Sequence, residues 1–325
     1  QMCIRDRYRD EEFGRQVAWD TDLLSGYSSH FLRRVSEGVA ATAEGSSPRG
    51  LGRVLQELSP SAVLLTAYRP GFYCQAFCSA ARLRLPLLLR AETTDEALRR
   101  GWIKHYLRDW LLPRFYRRFA KLLYIGQNSL RHYRRLGARD DQLVFSPYCV
   151  DATAFATDEP SHAALRLETR SGLGLAEDQV VLLYSGKLVS RKGPELLIEA
   201  VQQLEPRDRN RTVVLFLGDG ELRASLAALA ARTPSVAVRF AGFQNQTRLS
   251  PYYHAADLLV LPSRTSETWG LVVNEALMHG LPVLVSDQVG CAPDLVLAGS
   301  TGEVFPSGSV LSLIHISEPT RQAEI

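Results

Sequence analysis

The sequence is short of several features, and each shortage excludes a class of protein. No apolar run approaches the ~18 residues that cross a bilayer as a helix, so a membrane-spanning chain is not expected. The N-terminus has no basic stretch followed by an apolar core, so no secretory signal is expected. Of the five cysteines, Cys74 and Cys78 stand one helical turn apart, Cys149 and Cys291 stand alone, and no metal-ligand spacing appears. Reduced thiols in a cytosol follow. No Gly-x-Gly-x-x-Gly opens a first βαβ unit, which argues against an NAD-dependent dehydrogenase. There is no low-complexity tract, and the net charge of +3 is small.

What is present is alternation. The length of 325 residues suggests two domains. In the second half, strand candidates at 180–185, 212–217, 236–241, 257–261 and 282–286 alternate with helix candidates at 194–204, 221–233, 249–255 and 271–278. That order implies an α/β fold with parallel sheets and helices on both faces. The first half repeats it less completely, with strands at 62–66, 86–90, 122–125 and 142–145 and helices at 71–84, 96–118 (broken near Pro113) and 129–136. The polar, irregular stretch 151–174 reads as a linker. Two Rossmann-like units follow, with a ligand expected in the cleft, at the carboxyl ends of the strands.

Both ends look foreign. Residues 1–7 and 311–325 resemble translated sequencing-adapter read-through, so both native termini are expected to be missing. The expected domains are 8–155, without its first strand, and 176–310, joined by a linker at 156–175.

The chemistry concentrates in the second unit. Glu267 and Glu275 bracket Glu267-Thr268-Trp269-Gly270-Leu271-Val272-Val273-Asn274-Glu275, between an apolar strand and a helix that stops at His279-Gly280. At ~1.5 Å per helical residue the pair spans roughly 12 Å. That suits a grip on both ends of an elongated ligand, and exceeds the ~5 to 9.5 Å of two acids sharing one bond. The amides of Thr268, Trp269 and Gly270 lie at a helix N-terminus, suited to hydroxyls or anions. Ser185-Gly186-Lys187-Leu188-Val189-Ser190-Arg191-Lys192-Gly193-Pro194 is the second strong motif. Gly186 permits a close turn, and Lys187 and Lys192 set two cations beside a helix start, as a diphosphate clamp would require. An exposed basic loop is the bland alternative; the glutamate pair in the same unit favours the clamp. Leu217-Gly218-Asp219-Gly220-Glu221 reads as a structural turn, or as Gly218 lining the ligand. Phe243 follows the next strand, either in a polar loop or where a base rests.

From Arg99 to Arg139 about twelve Lys and Arg face a single acid, Asp109, and interleave with Trp102, Tyr106, Trp110, Leu111, Leu112, Phe115, Tyr116 and Phe119. The stretch reads as a solvated helix pair around an aromatic core stripe, or as a basic amphipathic surface for anionic lipid headgroups. No nucleic-acid motif accompanies the charge, so nucleic acid is not an expected partner.

From Tyr184 to Phe305 the chain resembles the donor-binding domain of glycosyltransferase family 4. SGKLVSRKG, LGDGELR, FAGF, YYHAADLLVLPS, SETWGLVVNEALMHGLPVLVSD, and VGCAPDLV followed by TGEVF carry the resemblance. FGRQVAWDTDLLSGY, RAETTD and FSPYCVD are similar, more loosely, to a bacterial branch. The resemblance implies the GT-B fold, with two facing Rossmann-like domains, each incomplete at its missing terminus. It implies retaining transfer of a hexosyl unit from a nucleoside diphosphate sugar to a glycan, lipid-linked or small-molecule acceptor, in polysaccharide biosynthesis. Glu267 and the amides from Thr268 to Leu271 would contact the donor sugar, and Glu275 the ribose diol. Lys187, standing where an arginine is more usual, and Lys192 would neutralise the diphosphate, though Lys187 lacks the planar fork.

Two departures fall in the first half. The family's Gly-rich loop after the first strand is absent, and a mid-domain histidine is replaced by Arg90-Ala91-Glu92. Arg90 and Glu92 are candidates for acceptor or donor contacts, or else form a buried ion pair. Transfer of this kind calls for stabilising the leaving diphosphate, not for a protein nucleophile. No cofactor and no metal is expected; Asp20-Thr21-Asp22 fits a metal-binding Asp-x-Asp but lacks its strand context. The expected location is cytoplasmic, peripheral on the inner membrane face if the basic surface meets lipid. The competing readings are a nucleotide-sugar epimerase of the same fold and a non-catalytic nucleotide-sugar-binding module, inactive through truncation.

Overall fold

The computed structural model describes residues 7–10, 15–18, 26–28, 50–68, 71–95, 102–151, 153, 155, 158–265 and 267–310. The triplet at 20–22, most of the first adapter-like segment and all of 311–325 lie outside them. The chain divides into two compact units between Tyr148 and Cys149. An antiparallel strand pair, β1 (Arg7–Asp10) and β2 (Arg15–Ala18), groups with the second.

The first unit runs α1 (Leu51–Leu58), β3 (Val63–Leu65), α2 (Gly71–Arg82), β4 (Leu87–Leu89), α3 (Trp102–Tyr116), β5 (Lys121–Tyr124), α4 (Gln127–Arg135) and β6 (Leu143–Phe145). Its four strands are parallel in the order β3-β4-β5-β6. Leu65, Leu87, Leu89 and Leu122 pack there on Ala76 and Ala80 of α2, Leu112 and Tyr116 of α3, and Tyr133 of α4. The expected break at Pro113 is not seen: α3 runs through it. The missing N–H of a proline costs a helix one ladder bond, and burial of neighbouring Leu112 and Tyr116 holds the segment in place.

The basic stretch is less basic in three dimensions than along the chain. Arg135 pairs with both Asp95 and Asp109, Arg134 with Asp140, and Arg139 with Asp141. Burial pushes the Asp95 carboxyl up, but hydrogen bonds from Arg135 and His132 outweigh it and hold the group well below the usual range. Sequence counting missed these partners because three of the acids flank the counted window. Leu112, Tyr116 and Phe119 are core, whereas Tyr106, Leu107, Trp110 and Leu111 are exposed.

The second unit runs α5 (Glu159–Gly172), β7 (Val180–Ser185), α6 (Glu195–Gln203), α7 (Pro206–Arg211), β8 (Thr212–Leu217), α8 (Arg223–Arg232), β9 (Ala237–Gly242), α9 (Ser250–Ala255), β10 (Leu258–Leu261), α10 (Leu271–Met278), β11 (Val283–Ser286), α11 (Ala292–Leu295) and β12 (Gly302–Phe305). The sheet is parallel throughout, in the order β12-β11-β10-β7-β8-β9. β8 is buried along its whole length, as expected for a strand covered on both faces. The chain winds from β7 to β9 on one side, then returns to lay β10 to β12 on the other. Winding reverses between β7 and β10, and in open α/β sheets that reversal point binds ligands at the strands' carboxyl ends.

The segment expected as a linker is largely helix. α5 starts on Asp158, whose carboxylate caps the Ser161 amide at 3.1 Å. It docks on α9 through cations: Arg166 donates to the carbonyls of His254 and Ala256 at 2.9 and 3.0 Å, and Arg170 to those of Ala255 and Ala176, each at 2.9 Å. Asp257 receives both guanidiniums and the Val181 amide. A helix docked by arginines carries no apolar stripe, which is why its sequence reads as loop.

Candidate functional site

Glu267, Glu275 and Lys192 come together at the reversal point, and Lys187 follows Gly186 in the turn after β7. β7 ends at Ser185, and the chain turns at Gly186 with φ 139°. A β-carbon at Gly186 would lie 3.6 Å from Lys192 Nζ, so the turn passes close under that ammonium. The buried Tyr184 hydroxyl donates to the Lys187 carbonyl at 2.6 Å and fixes the turn. Gly218 is buried; a β-carbon there would stand 1.9 Å from the Gly186 carbonyl oxygen, so backbone contact between the ends of β7 and β8 accounts for this glycine. Phe243 follows β9 and is half-buried.

Lys192 closes a 3-10 turn, Ser190–Lys192, ahead of α6. Its Nζ lies 2.8 Å from Glu267 Oε2, with only 11% and 13% of the two side chains exposed. The Ser263 hydroxyl donates to the same oxygen at 3.2 Å. The loop after β10 is also tied to this turn by the Arg264 amide on the Arg191 carbonyl, 2.8 Å, and by the Arg264–Glu195 ion pair, 2.7 Å.

Glu267 is not on the helix. It bridges in parallel to Val289, and the chain then turns through Gly270, φ 95°, into α10. The helical rise therefore does not measure the Glu267–Glu275 interval. Gly290 and Cys291 donate to the carbonyls of Glu267 and Trp269, each at 2.9 Å, and so hold the loop. Trp269 is buried, with its indole N–H on Asn274 Oδ1 at 2.7 Å. No side chain caps the start of α10 at Gly270; Thr268 is half-buried beside it and Leu271 is exposed.

Glu275 is the fifth residue of α10 and half-buried. Burial raises its carboxyl above the ordinary value, while the Tyr253 hydrogen bond and the Lys192 charge oppose that rise. Tyr253 Oη donates to Oε2 at 2.6 Å. Among the described residues, every hydrogen bond reaching the Glu267 and Glu275 carboxylates lands on Oε2. Each acid is thus anchored through one oxygen, with Lys192 acting electrostatically on both. Sequence reading missed Tyr253, Ser263, Arg264 and Gly290. Only the YYHAADLLVLPS run hinted at Tyr253.

Arg90 and Glu92 lie in the first unit, after β4. Arg90 reaches the Ser146 hydroxyl at 3.3 Å and the Pro147 carbonyl at 3.4 Å, and stacks 4.5 Å over the Tyr148 ring. The Tyr148 hydroxyl donates to Glu92. The two side chains are thus joined through Tyr148; Arg90 is half-buried and Glu92 exposed.

Two parallel α/β units, one carrying anchored glutamates and a lysine at its reversal point, define the class: this is the GT-B fold. Solved structures agree. HepE of Anabaena with UDP and glucose matches with a TM-score of 0.63 at 20% identity, covering 84% of this chain and 72% of that one. A glycosyltransferase from Rickettsia africae matches with a TM-score of 0.68 at 13% identity, covering 88% and 75%. In sequence, residues 166–316 are similar to the family described as Glycosyl transferases group 1. D-inositol 3-phosphate glycosyltransferase 1 of Catenulispora acidiphila is 36% identical over 174 residues, 49% of this chain and 38% of that protein. Lipopolysaccharide 1,2-N-acetylglucosaminetransferase of Salmonella typhimurium is 34% identical over 158 residues, 45% and 41%. The chain spans about two fifths of the length of these curated relatives.

Proposed function

We propose that this chain is a glycosyltransferase of the retaining, family 4 kind, moving a hexosyl unit from a nucleoside diphosphate sugar to a glycan, lipid-linked or small-molecule acceptor. The observation that carries the reading is the pair of glutamates, each anchored through one oxygen, around Lys192 at the reversal point of a parallel sheet. HepE, of the same fold, was solved with UDP and glucose and with UDP-glucose. Lys192 pairs with Glu267 and its charge also reaches Glu275, which suits an anionic diphosphate flanked by two hydroxyl-bearing sugars. Glu267 accepts from the transferred sugar and Glu275 from the ribose. Lys187 and Lys192 offset the charge that grows on the leaving diphosphate, a task that needs neither protein nucleophile nor metal. Arg90 and Glu92 belong to the acceptor side.

Calorimetry with UDP, GDP and their sugars tests the donor reading, followed by a transfer assay. Glu275→Ala should weaken nucleotide binding, while Glu267→Ala should mostly lower turnover. Parent-like nucleotide affinity in Glu275→Ala sinks the ribose assignment. Binding without turnover in a chain extended to the full length of its relatives would favour the non-catalytic module instead.

The acceptor side has a second partner in this proposal, an anionic bilayer. Tyr106, Trp110 and Leu111 are exposed on α3, and Arg114 stacks 4.1 Å over the Trp110 ring. Aromatics and cations on one helix face suit the headgroup region of a cytoplasmic membrane. Sedimentation with liposomes containing anionic lipid at low salt checks this; protein left in the supernatant refutes it.

A further inference from the structure

Two stacked rings hold Glu275 from both ends. Tyr253 and His279 lie almost parallel, with centroids 4.9 Å apart and planes at 14°. Tyr253 donates its one proton to Glu275 Oε2, so the Ser185 hydroxyl, 3.1 Å from the phenol oxygen, donates to Tyr253 in turn. At the other end, His279 Nδ1 lies 2.7 Å from the Glu275 main-chain carbonyl. That oxygen only accepts, so Nδ1 carries the proton and Nε2 accepts from Ser250 at 2.8 Å. Burial holds His279 below the ordinary histidine value, which agrees with a neutral ring. Tyr253, Ser185, Ser250 and His279 are all buried. A buried polar network with its partners in place fixes one arrangement of its members.

We propose that Tyr253, braced by Ser185 and stacked on His279, is the positioning residue that locks the Glu275 carboxylate and thereby makes the site select ribonucleoside over 2′-deoxyribonucleoside diphosphates. This rests on the reading of Glu275 as the ribose ligand. With Oε2 committed to Tyr253, Glu275 meets the ribose with Oε1 in a fixed direction. A vicinal diol satisfies it; a 2′-deoxyribose leaves part of a buried acceptor unpaired, and the carboxylate cannot swing to compensate. Without the phenol hydroxyl the carboxylate gains that freedom, and discrimination falls with it.

The test is calorimetry on the full chain and on Tyr253→Phe with UDP, GDP and ADP, each against its 2′-deoxy counterpart. The parent should bind at least one ribonucleotide about tenfold more tightly than the deoxy form. In Tyr253→Phe the ribonucleotide affinity should drop by about threefold to tenfold and the deoxy affinity by less than twofold, so the ratio collapses. Ser185→Ala should shift the ratio in the same direction by less, and gives the readout if Tyr253→Phe does not fold. Tyr253→Phe with Glu275→Ala should bind no more weakly than Glu275→Ala alone. Proportional loss for both sugars would make Tyr253 merely structural and overturn the proposal. If Glu275→Ala weakens binding while Tyr253→Phe matches the parent, the positioning role alone falls. If Glu275→Ala matches the parent, or no nucleotide binds the parent, the ribose reading falls and takes the proposal with it.

Discussion

Gly290→Ala probes the site while leaving both glutamate side chains in place. Gly290 has no side chain, and a β-carbon there would stand 2.0 Å from the Thr268 carbonyl oxygen, 2.6 Å from its carbon and 3.1 Å from the Glu267 oxygen. Since β-carbon contacts below 3.0 Å are essentially never seen, the Thr268 carbonyl must retreat by about 1 Å. It cannot do so alone. The Gly290 amide is bonded to the Glu267 carbonyl and the Cys291 amide to the Trp269 carbonyl, so the loop moves as a unit or both bonds break. Two backbone hydrogen bonds are worth about 2 kcal/mol together, and a 1 Å misplacement of a positioning group costs about 100-fold in rate. The expected outcome is a destabilisation of about 2 kcal/mol in urea and a loss of about 100-fold in transfer, with nucleotide affinity little changed because Glu275 is held separately by Tyr253. Gly172→Ala is the control: it lies in α5 with open space around it, and should be neutral or stabilising by up to about 1 kcal/mol. Parent-like transfer in folded Gly290→Ala would refute the claim that the 289–291 segment positions Glu267.

Lys192→Ala should weaken binding of a nucleoside diphosphate far more than of the nucleoside, and should also loosen Glu267, whose buried partner it removes; equal losses for both ligands would move the diphosphate elsewhere. Nucleotide affinity should fall with acidification from a pH above the ordinary carboxylate range, because Glu275 takes up its proton early. The folding contribution of that group has the opposite sign: a raised native value stabilises at low pH and is lost as pH rises through it, so thermal melts of parent and Glu275→Gln should converge below about pH 4. A nucleotide affinity that stays flat down to the ordinary carboxylate range would contradict the raised value. Asp257→Ala strips Arg166, Arg170 and the Val181 amide of their shared acceptor, and should destabilise the second unit by about 3–5 kcal/mol in denaturant titration; a change below about 1 kcal/mol would show that α5 does not need its clasp.

Most elements of the fold were legible along the chain, and the reasons are local. β7, β8 and α10 fall at their expected bounds because a strand buried on both faces is a bare apolar run, and because Gly270 and Gly280 punctuate the helix. Helices held by something other than an apolar stripe were not legible. α5 docks by arginines, and α7 (PRDRNR) buries none of its residues. The acids that pair with Arg135 were also hidden, since pairing across 26 to 40 residues leaves no periodic trace.

The residues of the site divide the same way. Residue types and strand-to-helix junctions singled out Glu267, Glu275, Lys187 and Lys192, because close turns and anion grips need glycine, lysine and a helix start. Which oxygen anchors each acid was decided only by tertiary structure. Lys192 meets Glu267 across the β7–β10 reversal, and Tyr253 meets Glu275 from another helix. A sequence fixes the kinds of charge that it brings to a site; their direction comes from neighbours that chain order keeps apart.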